Sequence, residues 1–137
     1  MIHASVRELV RERAKHRCEY CRLPQVEGAT IKFHIEHVRP RQHGGDDSIQ
    51  NLALACSNCN WNKGPNLSAI DPQTESTTRL YHPRIDKWGD HFALDDLEII
   101  GLTDVGRATV RLLRMNAPEP IEVRGELRER GELNMED

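Results

Sequence analysis

Four cysteines in this chain form two closely spaced pairs, Cys18 with Cys21 and Cys56 with Cys59. Two C-x-x-C pairs suit one tetrahedral zinc ion, because each short turn presents two sulfurs at about 2.3 Å from the metal. We therefore expect a structural Zn²⁺ site with these four ligands, which we call the zinc clamp. Buried free thiols are the alternative interpretation.

Three residues between or next to the cysteine pairs have side chains suited to hydrolytic chemistry: Glu36, His37 and Asn60. A carboxylate and an amide oxygen are hard ligands that suit a divalent cation, whereas an imidazole is a base near neutral pH. A zinc clamp formed by the flanking cysteines is expected to hold the three side chains close together.

The order of these residues resembles the HNH endonuclease family, also called His-Me finger or ββα-metal nucleases. The resemblance covers about a third of the chain and is carried by an ordered set of elements rather than by one short pattern. These elements are Cys18-Glu-Tyr-Cys21, His34-Ile-Glu36-His37-Val-Arg-Pro40, Gly44-Gly45, Asn51-Leu52 and Cys56-Ser-Asn-Cys59-Asn60-Trp-Asn-Lys63-Gly64.

The resemblance implies a metal-dependent endonuclease that hydrolyses phosphodiester bonds in DNA. By its position in the pattern, His37 is the candidate general base. Glu36 and Asn60 stand where the family has the ligands of its catalytic divalent metal, for which we expect Mg²⁺ or Mn²⁺. Asn51 corresponds to the residue whose side chain holds the loop that orients the base.

The adjacency of Glu36 and His37 is a difficulty for a regular strand. Neighbouring side chains of a strand point to opposite faces, so both reach one cleft only if the strand twists or ends there. Pro40 shortly afterwards is consistent with an early strand end. The commonest form of the family has Asp where this chain has the longer Glu36. His34, on the Glu36 side of a regular strand, is an alternative or additional ligand.

Charge is distributed unevenly along the chain, although the net charge is only -3. Residues 1–65 carry 10 Lys and Arg against 7 Asp and Glu, whereas residues 66–137 carry 9 against 15. Phosphate affinity depends on local cations, so the first half is the expected face for nucleic acid, with DNA as the partner. Arg41 and Lys63 are candidates for phosphate contacts there, with solvated surface charges as the alternative.

The hydrophobic pattern together with the resemblance predicts an α+β fold with a small ββα-metal core. Residues 31–38 alternate apolar and polar side chains, and 52–55 are suited to a second, short strand. Ser57–Lys63 is expected to form a short helix that Gly64 ends. We assign residues 1–65 to an HNH nuclease core with its zinc clamp.

The remaining residues, 66–137, are expected to form a C-terminal extension that packs on this core. Residues 92–101 suggest a hairpin around two acidic residues. Thr103 is a good N-cap for a helix over 104–115, which has one apolar face. From about residue 122 the sequence predicts a charged tail.

Composition limits the class of protein. With 137 residues, of which 37% are hydrophobic, the core is modest and folding is expected to depend on the metal. No apolar run has transmembrane length, and the polar start lacks a signal-peptide pattern, so we expect no membrane association. A cytoplasmic protein is the natural expectation, where paired cysteines are better explained by metal than by disulfides.

Two functions of different classes fit these observations. The first is a metal-dependent nuclease, favoured because base, ligands and clamp all occur. The second is a zinc-stabilised nucleic-acid-binding or protein-binding module without turnover. A redox dithiol protein is disfavoured by the second cysteine pair. Since nothing resembles a sequence-reading helix-turn-helix, selectivity is expected to come from DNA shape or from a protein partner.

Overall fold

The computed structural model describes residues 2–26 and 31–136. Over this part of the chain the strands pair into three separate two-stranded antiparallel sheets. The helices are α1 (Ala4–Arg13), α2 (Ser57–Lys63), α3 (Trp88–His91), α4 (Asp104–Leu112) and α5 (Pro118–Glu129). The strands are β1 (Phe33–His37), β2 (Leu52–Cys56), β3 (Ser68–Ile70), β4 (Thr77–Arg79), β5 (Phe92–Asp95) and β6 (Glu98–Gly101). The α+β class predicted from the sequence is confirmed.

The first half of the chain contains the strand, loop, strand and helix that the sequence predicts. Strand β1 pairs with β2 in a register that runs from Phe33 opposite Cys56 to His37 opposite Leu52. Helix α2 follows β2 without a loop, and Cys56 is both the last residue of the strand and the N-cap of the helix. The second strand and the helix of the ββα core are therefore contiguous in sequence, and the second cysteine pair spans their junction.

Every residue of β2 is buried, because the strand has apolar partners on both faces. Leu52 and Leu54 cluster with Val10 and Ala14 at the end of α1. Ala53 and Ala55, which alternate with these leucines on the opposite face of the strand, belong instead to the main hydrophobic cluster. The period of two that a strand imposes thus divides β2 between two packing surfaces and fixes its register.

The second half of the chain contributes to the same main cluster as the cysteines. Trp88 and Phe92 are buried in it, and the Trp88 indole N–H donates to the backbone oxygen of Tyr20 at 2.8 Å. Asn58 in α2 donates through Nδ2 to the backbone oxygen of Leu113 at 3.1 Å. These contacts brace both the first cysteine pair and helix α2.

The predicted hairpin and helix of this half are also present. Strands β5 and β6 pair from Phe92 opposite Gly101 to Asp95 opposite Glu98. Thr103 caps α4 as expected, since its hydroxyl accepts from the Gly106 N–H at 3.0 Å. Among the described helices, none combines the length and hydropathy needed to cross a lipid bilayer.

The charged tail expected from about residue 122 is helical over its first part, as far as Glu129. Helix α5 begins at Pro118, where the missing N–H and the fixed φ of proline suit the first turn of a helix. Its buried residues include Arg124 and Leu127. Arg124 donates through Nε to the backbone oxygen of Leu97 at 2.7 Å. Because an arginine forms part of the packed face, composition alone gave no sign of this helix.

Candidate active site and metal centre

The four cysteine side chains converge in the interior of the protein. Their Sγ atoms all lie within 4.8 Å of one another, and all four residues are buried. The Sγ atoms of Cys21 and Cys56 are 3.7 Å apart. That spacing is close to the edge of about 3.8 Å in a tetrahedron with 2.3 Å metal–sulfur bonds, and far longer than a disulfide bond. The cluster therefore fits a zinc ion by geometry and by donor type.

Local backbone structure brings each cysteine pair into position. In the first pair, the Cys18 N–H donates to the Leu23 oxygen at 2.8 Å, which closes a tight turn. In the second pair, the Cys59 N–H donates to the Cys56 sulfur at 3.5 Å. The pKa of Cys56 lies well below its usual range because its sulfur accepts hydrogen bonds from the thiol of Cys18, from the thiols of Cys21 and Cys59, and from this N–H. A thiolate at this point is the form that binds zinc.

A cleft of about 580 Å³ lies between β1, the loop after it and α2. Glu36, His37, Asn60 and Arg41 all line it. The structure thus brings together the candidate base, both candidate metal ligands and one candidate phosphate contact. Glu36 and His37 reach the same cleft because β1 ends at His37, where the strict alternation of a strand stops.

Glu36 is held by two buried partners. Its Oε1 accepts a hydrogen bond from the Tyr20 hydroxyl, and its Oε2 lies 3.5 Å from Nζ of Lys63. All three residues are buried. Burial raises the pKa of Glu36, and the Lys63 ammonium opposes that rise. Tyr20 stands between the first two cysteines, so the zinc clamp and this carboxylate are connected by one hydrogen bond.

Lys63 does not have the exposure that its predicted phosphate contact requires. It is 1% exposed, and its Nζ also donates to the backbone oxygen of His37 at 3.3 Å. Lying one helical turn after Asn60, it projects from the last turn of α2 toward β1. The sequence showed its charge, but only the packing of α2 on β1 revealed that the charge balances Glu36.

Asp47 orients the candidate base, and sequence reasoning missed it. Nε2 of His37 lies 2.7 Å from Oδ1 of Asp47. A carboxylate only accepts hydrogen bonds, so Nε2 carries the hydrogen, and in the neutral ring Nδ1 has the free lone pair. The hydrogen bond from His37 and the charge of Arg41 lower the pKa of Asp47. The sequence feature that could have indicated this contact is the position of Asp47 two residues after Gly44-Gly45, in the loop that follows His37.

Asn51 lies outside the cleft and holds the loop that carries Asp47. Its Oδ1 accepts from the Arg39 N–H at 2.8 Å, and its Nδ2 donates to the backbone oxygens of Arg39 and Asp46 at 3.0 and 2.8 Å. A Cβ on Gly45 would overlap the Arg39 oxygen, so the loop closes this tightly only with glycine. The Asn51 side chain therefore fixes the loop on which Asp47 meets His37.

The other candidate residues differ in their position relative to the cleft. His34 lies 3.3 Å from the Ser57 hydroxyl and lines a separate depression, so the structure does not bring it to Glu36. Arg41 lines the cleft with a side chain that is 62% exposed, and its Nη2 donates to both oxygens of Asp47 at 2.6 and 2.8 Å. Among the described residues, none forms a hydrogen bond with the side-chain amide of Asn60.

Residues 18–66 match the family model described as HNH endonuclease. These residues form an HNH domain. The domain contains the four clustered cysteines and every residue that lines the cleft. No curated protein and no solved structure matches the chain. Proteins with HNH domains are usually nucleases, so the domain indicates a function connected with nucleic acid.

Proposed function

We propose that this protein is a metal-dependent endonuclease that hydrolyses phosphodiester bonds in DNA. In this proposal His37 is the general base, and Glu36 and Asn60 are the protein ligands of a catalytic Mg²⁺ or Mn²⁺. The observation that supports it most strongly is the cleft that these three residues line together within the HNH domain.

The hydrogen bond to Asp47 determines which ring nitrogen of the proposed base is available. Phosphodiester hydrolysis needs a water to lose a proton as it attacks phosphorus. With Nε2 of His37 held by Asp47, Nδ1 is the nitrogen that accepts this proton. The imidazolium that forms is stabilised by the adjacent carboxylate, which Arg41 in turn holds in place.

The donors of Glu36 and Asn60 fit a hard divalent cation, since both offer oxygen. Such a cation, when bound, neutralises charge that builds on the phosphoryl oxygens and on the leaving oxygen. Because the Lys63 ammonium already balances Glu36, the cleft has little net negative charge of its own. The anionic phosphate then contributes to metal affinity, and Arg41 offers it a further positive charge at the exposed side of the cleft.

Two histidines on β1 provide a matched test of this proposal. His37→Ala should lower the cleavage rate by a factor on the order of 10²–10⁴ through loss of the base, with zinc content and thermal stability nearly unchanged. His34→Ala removes an exposed histidine from the same strand but from outside the cleft, and should cleave like the parent. Cleavage by His37→Ala at the parental rate would refute its role.

The metal requirement tests the two proposed ligands separately from the base. Brief chelation should abolish cleavage before the fold is disturbed, because oxygen ligands release their cation more readily than four thiolates release zinc. Mg²⁺ or Mn²⁺ should restore cleavage without added zinc, and Glu36→Ala or Asn60→Ala should raise the concentration needed. Binding of DNA without cleavage in any divalent metal would instead identify a zinc-stabilised binding module.

A further inference from the structure

Trp61 is the most exposed of the large apolar side chains in the described part of the chain, at 83%. It follows Asn60 directly on α2 and lines the same cleft as Glu36 and His37. The second tryptophan of the chain, Trp88, is 5% exposed and lies in the core. An indole left in water forgoes the burial that stabilises a fold, and its place in the cleft makes its ring available to a ligand there.

The surroundings of Trp61 limit what that ligand can be. Seven large apolar residues are exposed within the described ranges, and of these only Trp61 lines the cleft. Within the described part of the cleft, Trp61 is thus not accompanied by other large exposed apolar side chains of the kind that a protein or membrane contact uses. The cleft instead combines one aromatic ring with the exposed guanidinium of Arg41. An aromatic surface beside a cation is complementary to a nucleotide, which has a flat base and an anionic phosphate.

We propose that Trp61 stacks on an unpaired nucleobase beside the phosphate that the cleft receives, which makes single-stranded segments the preferred substrate class. This inference rests on the function proposed above. Aromatic rings stack on every base through its π-face, so such a contact needs no particular sequence. In a duplex the faces of the bases are covered by their neighbours, so the ring could meet only base edges, sugar and phosphate. An unpaired base can instead place its whole face against the indole ring.

Helix α2 gives Trp61 the fixed position that a stacking surface needs. The helix is held through Cys59 in the zinc clamp and through Asn58, whose Nδ2 donates to the backbone oxygens of Leu113 and Arg114. Asn62 donates back to the Asn58 oxygen at 2.8 Å. Since the backbone under the ring is already ordered, stacking costs little further conformational entropy.

Intrinsic fluorescence provides a direct test, because the exposed and buried tryptophans respond differently. A short single-stranded oligonucleotide, added to the zinc-loaded protein without other divalent metal, should quench the solvent-exposed emission of Trp61 and leave that of Trp88. Trp61→Ala should weaken single-strand binding by roughly 5- to 100-fold, the range that stacking contributes per base, and change duplex binding little. Trp61→Phe should retain most of the affinity. Ile85→Ala, at a 75% exposed apolar residue outside the cleft, is the matched control and should bind like the parent.

Equal weakening of single-strand and duplex binding by Trp61→Ala, or unchanged single-strand binding, would overturn the proposal. Quenching by neutral lipid vesicles or by a protein, with none by the oligonucleotide, would also overturn it. Because no turnover is needed, the outcome is separate from that of the proposed nuclease activity. If Trp61 contributes to single-strand binding but the protein cleaves no substrate, only the proposed nuclease activity is refuted. If the protein cleaves DNA but binds single strands equally well without Trp61, only the proposed stacking is refuted.

Discussion

The buried pair of Lys63 and Glu36 leads to a quantitative prediction for stability. Nζ and Oε2 are 3.5 Å apart, and the two side chains are 2% and 6% exposed. At an effective dielectric constant of about 20, two unit charges at this distance attract by about 5 kcal/mol, which offsets the cost of removing both from water. Lys63→Met leaves the buried carboxylate without its counter-charge and should lower the free energy of unfolding by about 3–5 kcal/mol.

A double variant separates the ion pair from simple loss of packing. Glu36→Gln alone leaves the Lys63 ammonium buried and unpaired, so it should also be strongly destabilised. Glu36→Gln combined with Lys63→Met removes both charges, and the Tyr20 hydroxyl can still donate to the Gln oxygen. The main remaining loss is the hydrogen bond to the His37 oxygen, worth about 1 kcal/mol. The double variant should therefore be more stable than either single variant.

The destabilisation by Lys63→Met should also depend on pH in a definite direction. Burial raises the pKa of Glu36 and Lys63 opposes this, so removing Lys63 raises that pKa further. When a carboxyl has a higher pKa in the folded than in the unfolded state, the folded protein loses stability as the pH rises above the pKa of that carboxyl in the unfolded state. The loss in Lys63→Met should therefore grow as the pH rises above the ordinary Glu range, and should be larger near pH 8 than near pH 5.

Urea denaturation of the zinc-loaded protein, without added divalent metal, measures these differences. In a Trp61→Phe background the buried Trp88 is the only indole, and its emission reports the core. If the losses of the two single variants simply added in the double variant, the two charges would not interact as the structure indicates. A loss in Lys63→Met that is the same at both pH values would contradict the role of Glu36 ionisation.

The loop after β1, a second buried ion pair and the zinc clamp allow further tests. Gly45→Ala should lower both thermal stability and cleavage rate because its Cβ would overlap backbone, whereas Gly89→Ala, which meets no described atom within 4 Å, should do neither. Arg107→Met should lower the free energy of unfolding in urea, because it removes the counter-charge of the Asp71 carboxylate and leaves it only the hydrogen bonds from the Gln73 N–H and the Thr74 hydroxyl. Arg128→Met at an exposed pair should have a smaller effect, of about 0–1 kcal/mol. Since Arg107 lowers the pKa of Asp71, the parent should lose this contribution only as the pH falls below the usual Asp range, and the variant should lose less there. Replacing any zinc-clamp cysteine by Ser should abolish zinc binding and cooperative unfolding, as elemental analysis and circular dichroism would measure; full zinc content in such a variant would contradict the assignment.

Features with a local cause could be predicted from the sequence. The spacing of the cysteines predicted that the two sulfurs of each pair would lie together, because a C-x-x-C turn fixes them with little help from the rest of the fold. Thr103 predicted the start of α4, since the capping hydrogen bond joins residues only three positions apart. Gly64 predicted the end of α2 for a similarly local reason. The order of motif residues predicted the HNH domain.

Features that depend on contacts between distant segments were decided only by the tertiary structure. Lys63 looked like a phosphate contact, but packing of α2 against β1 buries it beside Glu36. Asp47 contacts His37 because the Asn51 side chain closes the intervening loop. Helix α5 contacts the β5–β6 turn through a hydrogen bond from Arg124, a contact that composition does not reveal. Charge and propensity are properties of single residues and near neighbours, whereas burial and hydrogen-bond partners are set by which segments pack together.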